Sequence, residues 1–273
     1  MDQTARAHFY SAIERAEMID DPFPHLYARE VFPADFYERL LGSLPTLDQY
    51  TQYSQKYSAR YALDLTADTV KKLKDTSVFW TEFEGWLNSF ELLNEIFKKF
   101  GDRMKSCFSL REKFLRDATT PKGVIVTPQS LLCRDFANFA LNPHTDAGAK
   151  LVVGIFYLPK DDSMVEFGTS LYRPKEPMLR EFYNSVRFPR DRFNLVKTFE
   201  NRPNSFAAFL KTDNSFHGVE DRPYSNAGRD VLFWIPRIGK IPGKARIGHD
   251  AVGTEAAIAV PASIFTPEQE VAS

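Results

Sequence analysis

Hydrophobic positions change their period near residue 120. Before it they recur every three or four residues, the spacing of one face of a helix. FPADFYERLLGSLP (32–45) places Phe36, Leu40, Leu41 and Leu44 at that spacing, and Gly42 and Pro45 mark its end. TADTVKKLKDT (66–76) begins at a Thr66 or Asp68 cap. SVFWTEFEGWLNSFELLNEIFKKFG (77–101) reads as one long helix or two, with a second cap at Asn88-Ser89 and a stop at Gly101. Beyond 120 the runs shorten and alternate. KGVIVTPQSLLCRDF (122–136), AKLVVGIFYLP (149–159), TSLYRP (169–174), FNLVKTF (193–199), NSFAAFL (204–210) and RDVLFWIP (229–236) read as strands separated by Pro, Gly, Asn and Asp turns. EPMLREFYNS (176–185) predicts a short helix inserted among them. Many short strands predict a sandwich or jelly roll behind N-terminal helices.

The resulting organisation is one domain over 1–273. A mostly helical part covers about 1–119, a β core about 120–240, and a Gly/Pro/Ala-rich extension about 241–273. The chain's 273 residues, 43% of them hydrophobic, suffice for a proper core. Its 35 basic and 36 acidic residues nearly cancel, so no nucleic-acid or anionic-membrane footprint is expected. No apolar run approaches the roughly 18 to 20 residues of a membrane span. The start lacks the apolar stretch of a signal peptide. Two isolated cysteines, Cys107 and Cys133, form neither a disulfide framework nor a zinc motif and read as small buried hydrophobes. These features together predict a cytoplasmic protein. Tyr50, Tyr53, Tyr57 and Tyr61 crowd the segment 50–65, which reads as a surface loop packed on the core or as the mouth of a pocket.

Candidate chemistry starts at NPHTDAGAK (142–150). His144 and Asp146 are two residues apart, so on extended backbone they point to one side. A third ligand has to come from a distant strand, and His217 in FLKTDNSFHGVEDRP (209–223) is the candidate. His8 and His25 fall in the helical part and His249 in the tail. Two imidazoles and one carboxylate on one face of a metal leave three positions open, the facial triad of non-heme Fe(II) oxygenases. Arg229 lies twelve positions after His217 at a strand start, where a guanidinium can grip a carboxylate bidentately.

HTD at 144–146, SFHGV at 215–219, Arg229, LVVGIFYLP after the HxD and GTSLYRP at 168–174 together resemble the Fe(II)/2-oxoglutarate-dependent oxygenases. The likeness is to the bacterial, prolyl-hydroxylase-like branch and covers about residues 120–236. The resemblance implies a double-stranded β-helix, with Fe(II) held by His144, Asp146 and His217. It also implies that 2-oxoglutarate chelates the metal and pairs its far carboxylate with Arg229, and that dioxygen is the oxidant. The implied reaction turns 2-oxoglutarate into succinate and CO2 while oxidising the substrate; the leading expectation is hydroxylation of an unactivated carbon of a small metabolite: an amino acid, a sugar or a natural-product intermediate. Many relatives carry Ser or Thr two residues after the arginine, where this chain has Val231, so another donor is needed. Tyr157 is the candidate co-substrate contact, and Arg134 a further pocket candidate. Tyr172, Arg173 and Arg60 are candidates for an acidic group on the substrate, and Lys211 and Asp213 for support behind His217. A peptidyl hydroxylase of the prolyl-hydroxylase type is the related alternative. From other classes come a non-catalytic jelly-roll module with HTD as a turn, and a cupin, against which Asp146 counts.

Overall fold

The structure is a computed structural model. It describes all residues except 55–58, 74–75, 107–111, 137–138, 179–185, 222–227, 240–257 and 266–273. Cys107, Tyr57, His249 and most of the expected 176–185 helix lie outside the described residues.

Several helices start at side-chain caps. In α1 (Gln3–Arg15) the Asp2 carboxylate accepts from Ala5 N, and Phe9, Ala12 and Ile13 are buried. α2 (Ala34–Gly42) buries Phe36, Tyr37 and Leu40. Among the described residues of 66–76, the α-helix is α3 (Ala67–Val70), behind a Thr66 cap. The long apolar stretch is two helices, α4 (Ser77–Leu87) and α5 (Phe90–Phe100). Ser89 accepts from Leu92 N at the break, and Gly101 ends α5 at φ +53°, where a Cβ is disfavoured.

The strands are β1 (Met18–Ile19), β2 (His25–Arg29), β3 (Thr51–Gln52), β4 (Arg60–Asp64), β5 (Thr119–Thr120), β6 (Gly123–Asp135) and β7 (Leu141–His144). They continue with β8 (Val152–Tyr157), β9 (Ser170–Pro174), β10 (Phe193–Thr198), β11 (Ser205–Leu210), β12 (His217–Val219), β13 (Arg229–Ile238) and β14 (Ile258–Val260). Among the described residues they make two antiparallel sheets. The larger runs β1-β2-β11-β8-β13-β6-β4-β3, with β14 and β5 also on β6, and the smaller runs β10-β9-β12-β7. From β6 to β9 the chain alternates between the sheets, and after the β9–β10 pair it alternates again to β13. That alternation is the double-stranded β-helix.

The first 119 residues are less helical than expected. β2 pairs with β11 and β4 with β6, so both extend the larger sheet. HLYAR and RYALD are short and nearly buried, so neither shows a clean alternation. His25 is accordingly a buried strand residue whose Nδ1 meets Phe23 O at 2.8 Å.

Period 2 sorts the larger sheet into two faces. Leu63, Leu132, Val152, Phe156, Phe206, Leu232 and Trp234 face the helices. Ala62, Cys133, Ile155, Tyr157, Phe209 and Val231 face inward, where Leu171 of the smaller sheet meets them. Phe156 centres the helix-side core, its ring centroid 4.6 Å from Phe206, 5.7 Å from Phe9 and 5.8 Å from Phe32. Phe156→Ala is expected to cost roughly 3–5 kcal/mol in urea unfolding. Metal binding should survive, because the site lies on the other side of the sheet.

Candidate metal centre and its buried ion-pair cluster

His144 ends β7, a short strand outside the predicted runs, and His217 opens β12. The two strands are neighbours, and His144 pairs directly with His217. The register therefore brings together two imidazoles 73 positions apart in sequence, with ring centroids 4.4 Å apart. Asp146 follows on the turn, its Oδ2 3.4 Å from His217 Nε2. One ligand atom from each of the three residues lies within 4.8 Å of the others, and all three residues are buried.

Both rings are oriented the same way. His144 Nδ1 meets Asn142 O at 3.0 Å, and His217 Nδ1 meets Ser215 O at 2.9 Å. A carbonyl can only accept, so each Nδ1 carries the proton and each Nε2 keeps a lone pair. Burial, then the neighbouring His217, push His144 down to about 3 against the pull of Asp146. Burial likewise lowers His217. Burial would raise Asp146, but the Lys150 ammonium beside it pulls the other way and the carboxyl stays ionised. The site at neutral pH is two neutral imidazoles and a carboxylate, the protonation state a divalent metal requires. Lys150 Nζ donates to Asp146 Oδ1, while the buried Oδ2 accepts no hydrogen bond. A buried carboxylate oxygen without a donor is costly unless a cation completes it. The donor set therefore fits a metal.

Arg229 opens β13 and is buried. Its Nη2 donates to Asp135 Oδ2 at 2.6 Å and its Nη1 to Phe167 O, while its buried Nε has no hydrogen-bond partner. Asp135 was not foreseen. It sits at the end of β6, opposite Arg229 on one side and Arg60 on the other. Arg60 grips it bidentately, Nε to Oδ1 at 2.5 Å and Nη2 to Oδ2 at 2.8 Å. The Arg60 guanidinium also lies 4.0 Å from the Phe139 ring centroid. Burial would raise Asp135, but the two guanidiniums outweigh it and hold it below the usual carboxylate range. Tyr157 stands one rung away, opposite Val231, and its hydroxyl accepts from Thr169 N at 3.1 Å.

The other candidates lie elsewhere. Arg134 is adjacent to Asp135, so period 2 turns it to the opposite face, where Asp230 holds it at 2.7 and 2.9 Å. Tyr172 packs with Phe188, Phe193 and Phe216 on the far side of the smaller sheet and donates to Glu220. Arg173 is exposed and pairs with Asp21. Lys211 is buried and donates to Thr212 O. The acceptor behind His217 is Ser215 O, not Asp213. Within the Tyr-rich segment, Tyr53 joins the inward cluster, whereas the Tyr50 ring lies 5.4 Å from Arg134.

Asp64 shares an inward rung with Leu131 and Phe233, and burial alone raises its carboxyl from 3.8 to about 7. Its folded pKa exceeds its unfolded one, so the native state binds the proton more tightly. Stability therefore falls as pH rises between 4 and 7. Asp64→Asn is expected to be more stable than wild type by roughly 2 kcal/mol at pH 8, screening discounted, and to show no gain at pH 4. Urea unfolding at both pH values checks this.

No family model and no curated protein matches the chain. Solved structures do. The chain is similar to the non-heme alpha ketoglutarate dependent epimerase SnoN from nogalamycin biosynthesis, at 12% identity over 96% of this chain and 98% of that one, with a TM-score of 0.46. It is similar to a Pseudomonas putida prolyl-4-hydroxylase, at 10% identity over 85% and 97%, with a TM-score of 0.41. HygX from Streptomyces hygroscopicus, solved with nickel and 2-oxoglutarate bound, matches at 14% identity over 89% and 94%, with a TM-score of 0.43.

Proposed function

We propose that the chain is an Fe(II)- and 2-oxoglutarate-dependent dioxygenase that hydroxylates an unactivated C–H bond of a small molecule. The observation that carries this reading is the buried His144–Asp146–His217 cluster, with both Nε2 lone pairs and Asp146 Oδ2 uncommitted. Two nitrogens and one oxygen from one side suit Fe(II) and leave positions for a chelating co-substrate and for dioxygen. Bound Fe(II) supplies the redox chemistry that couples decarboxylation of 2-oxoglutarate to substrate oxidation.

The chain's own residues supply geometry. Asn142 O and Ser215 O fix the two rings, so the ligand face is organised before metal arrives. Arg229, on the inward face of β13, is the anchor for the far carboxylate of the co-substrate, and its Nε offers an uncommitted donor. Tyr157, one rung along, is a further polar group on that side. The apolar inward residues Ile155, Phe209 and Leu171 keep water from the reacting centre. Two oxygen atoms enter from dioxygen, one into succinate and one into the hydroxylated product. The test is succinate release from 2-oxoglutarate with Fe(II) and dioxygen, across amino acids, sugars and natural-product intermediates. Succinate release matched by a product gain of one oxygen supports the reading. Iron-independent 2-oxoglutarate consumption overturns it, and no consumption with any compound favours a non-catalytic binding module.

A further inference from the structure

Arg60, Asp135 and Arg229 sit side by side on β4, β6 and β13. Two guanidiniums and one carboxylate make a cluster of net charge +1, and all three residues are buried. The neighbouring Cys133 thiol, pushed up to about 12 by burial, adds no charge at neutral pH. The sharing is unequal. Arg60 takes both oxygens of Asp135, whereas Arg229 reaches only Oδ2 and spends its other terminal nitrogen on a neutral carbonyl. Phe139 and Phe233 lie around the Arg60 guanidinium, with ring centroids 4.0 and 5.3 Å away, and hold it in place.

We propose that Arg60 is a positioning residue for the anion anchor: it draws Asp135 toward itself, so that Arg229 stays incompletely neutralised and can take the far carboxylate of a dicarboxylic 2-oxo acid. This rests on the reading of the site as a 2-oxoglutarate oxygenase. Without Arg60, Asp135 closes bidentately on Arg229, the pair becomes neutral, and an incoming carboxylate finds no unpaired cation. Val231, the next inward residue of β13, brings no hydroxyl to a carboxylate bound at Arg229, and the charge left by Arg60 fills that need by electrostatics instead.

The experiment is isothermal titration of the Mn(II)-loaded protein with 2-oxoglutarate and, separately, with 2-oxobutyrate, which chelates alike but lacks the far carboxylate. Arg60→Met is expected to weaken 2-oxoglutarate binding at least tenfold and to leave 2-oxobutyrate binding within about twofold. Adding Asp135→Asn to Arg60→Met restores the single unpaired cation and should recover most of the loss. Arg60→Lys, which keeps the charge without the bidentate grip, should fall between and serves if Arg60→Met does not fold. Equal weakening for both acids, an unchanged 2-oxoglutarate affinity, or a double variant as weak as Arg60→Met overturns the assignment. If the wild-type protein binds Mn(II) but not 2-oxoglutarate, the functional reading itself falls, and this inference with it.

Discussion

His217→Ala is expected to leave a folded protein that no longer holds a divalent metal. The alanine removes one of three ligands, and the remaining His144 and Asp146 face an ammonium, Lys150, that already neutralises one carboxylate oxygen. Loss of a group that merely supports a ligand typically costs 10–100-fold in metal affinity, so loss of the ligand itself is expected to cost more than 100-fold. The cost to the metal-free protein is smaller. The His217 ring packs on Phe209, centroids 4.6 Å apart, and on His144, and truncation forfeits those contacts for about 1–2 kcal/mol. Thermal unfolding with and without Co(II), in the absence of oxygen, separates the two effects. At a metal concentration 100 times the dissociation constant, wild type should gain about 2.7 kcal/mol. The variant should gain less than about 0.4 kcal/mol at that concentration. A variant stabilised by Co(II) as much as wild type would remove His217 from the ligand set.

The second large effect belongs to Asp135. Asp135→Leu leaves two buried guanidiniums without their shared carboxylate, and removing one partner of a buried ion pair costs about 3–5 kcal/mol. The pH dependence has a definite sign. The folded carboxyl lies below its unfolded value of 3.8, so its contribution is present above pH 4 and is lost as pH falls through the folded value. The gap between wild type and Asp135→Leu in urea unfolding should therefore be constant from pH 5 to 8 and shrink below pH 4. A variant within 1 kcal/mol of wild type at pH 7 would mean that the cluster is solvated.

The His144–Asp146–His217 cluster could be read from the sequence because a short motif carries two of its members. HxD needs only extended backbone to align two side chains, and His217 was the one remaining histidine among strand-like runs outside the tail. The central strands were equally legible: β6, β8, β9, β10, β11 and β13 all lie within a residue or three of their expected ends. What stayed hidden depends on register. In CRDF the sequence shows Arg134 and Asp135 together, and only the pairing of Asp135 with Arg229 decides which of the two faces inward. Cys133, two residues back and inward, was the one local hint. Arg60 was a candidate for an acidic group on the substrate; its pairing with Asp135 was hidden because β4 reads as part of a Tyr-rich loop, and the pair exists only once β4 lies against β6. β7 and β12 are four and three residues long, too short for alternation to mark them, although they hold the two histidines.

The most direct test of the metal centre is anaerobic visible absorption of the metal-free protein titrated with Fe(II) and then 2-oxoglutarate, for wild type and His144→Ala. A weak charge-transfer band that requires both additions and is absent in His144→Ala is the expected result. A folded wild-type protein with no band, or a band that survives His144→Ala unchanged, would contradict it.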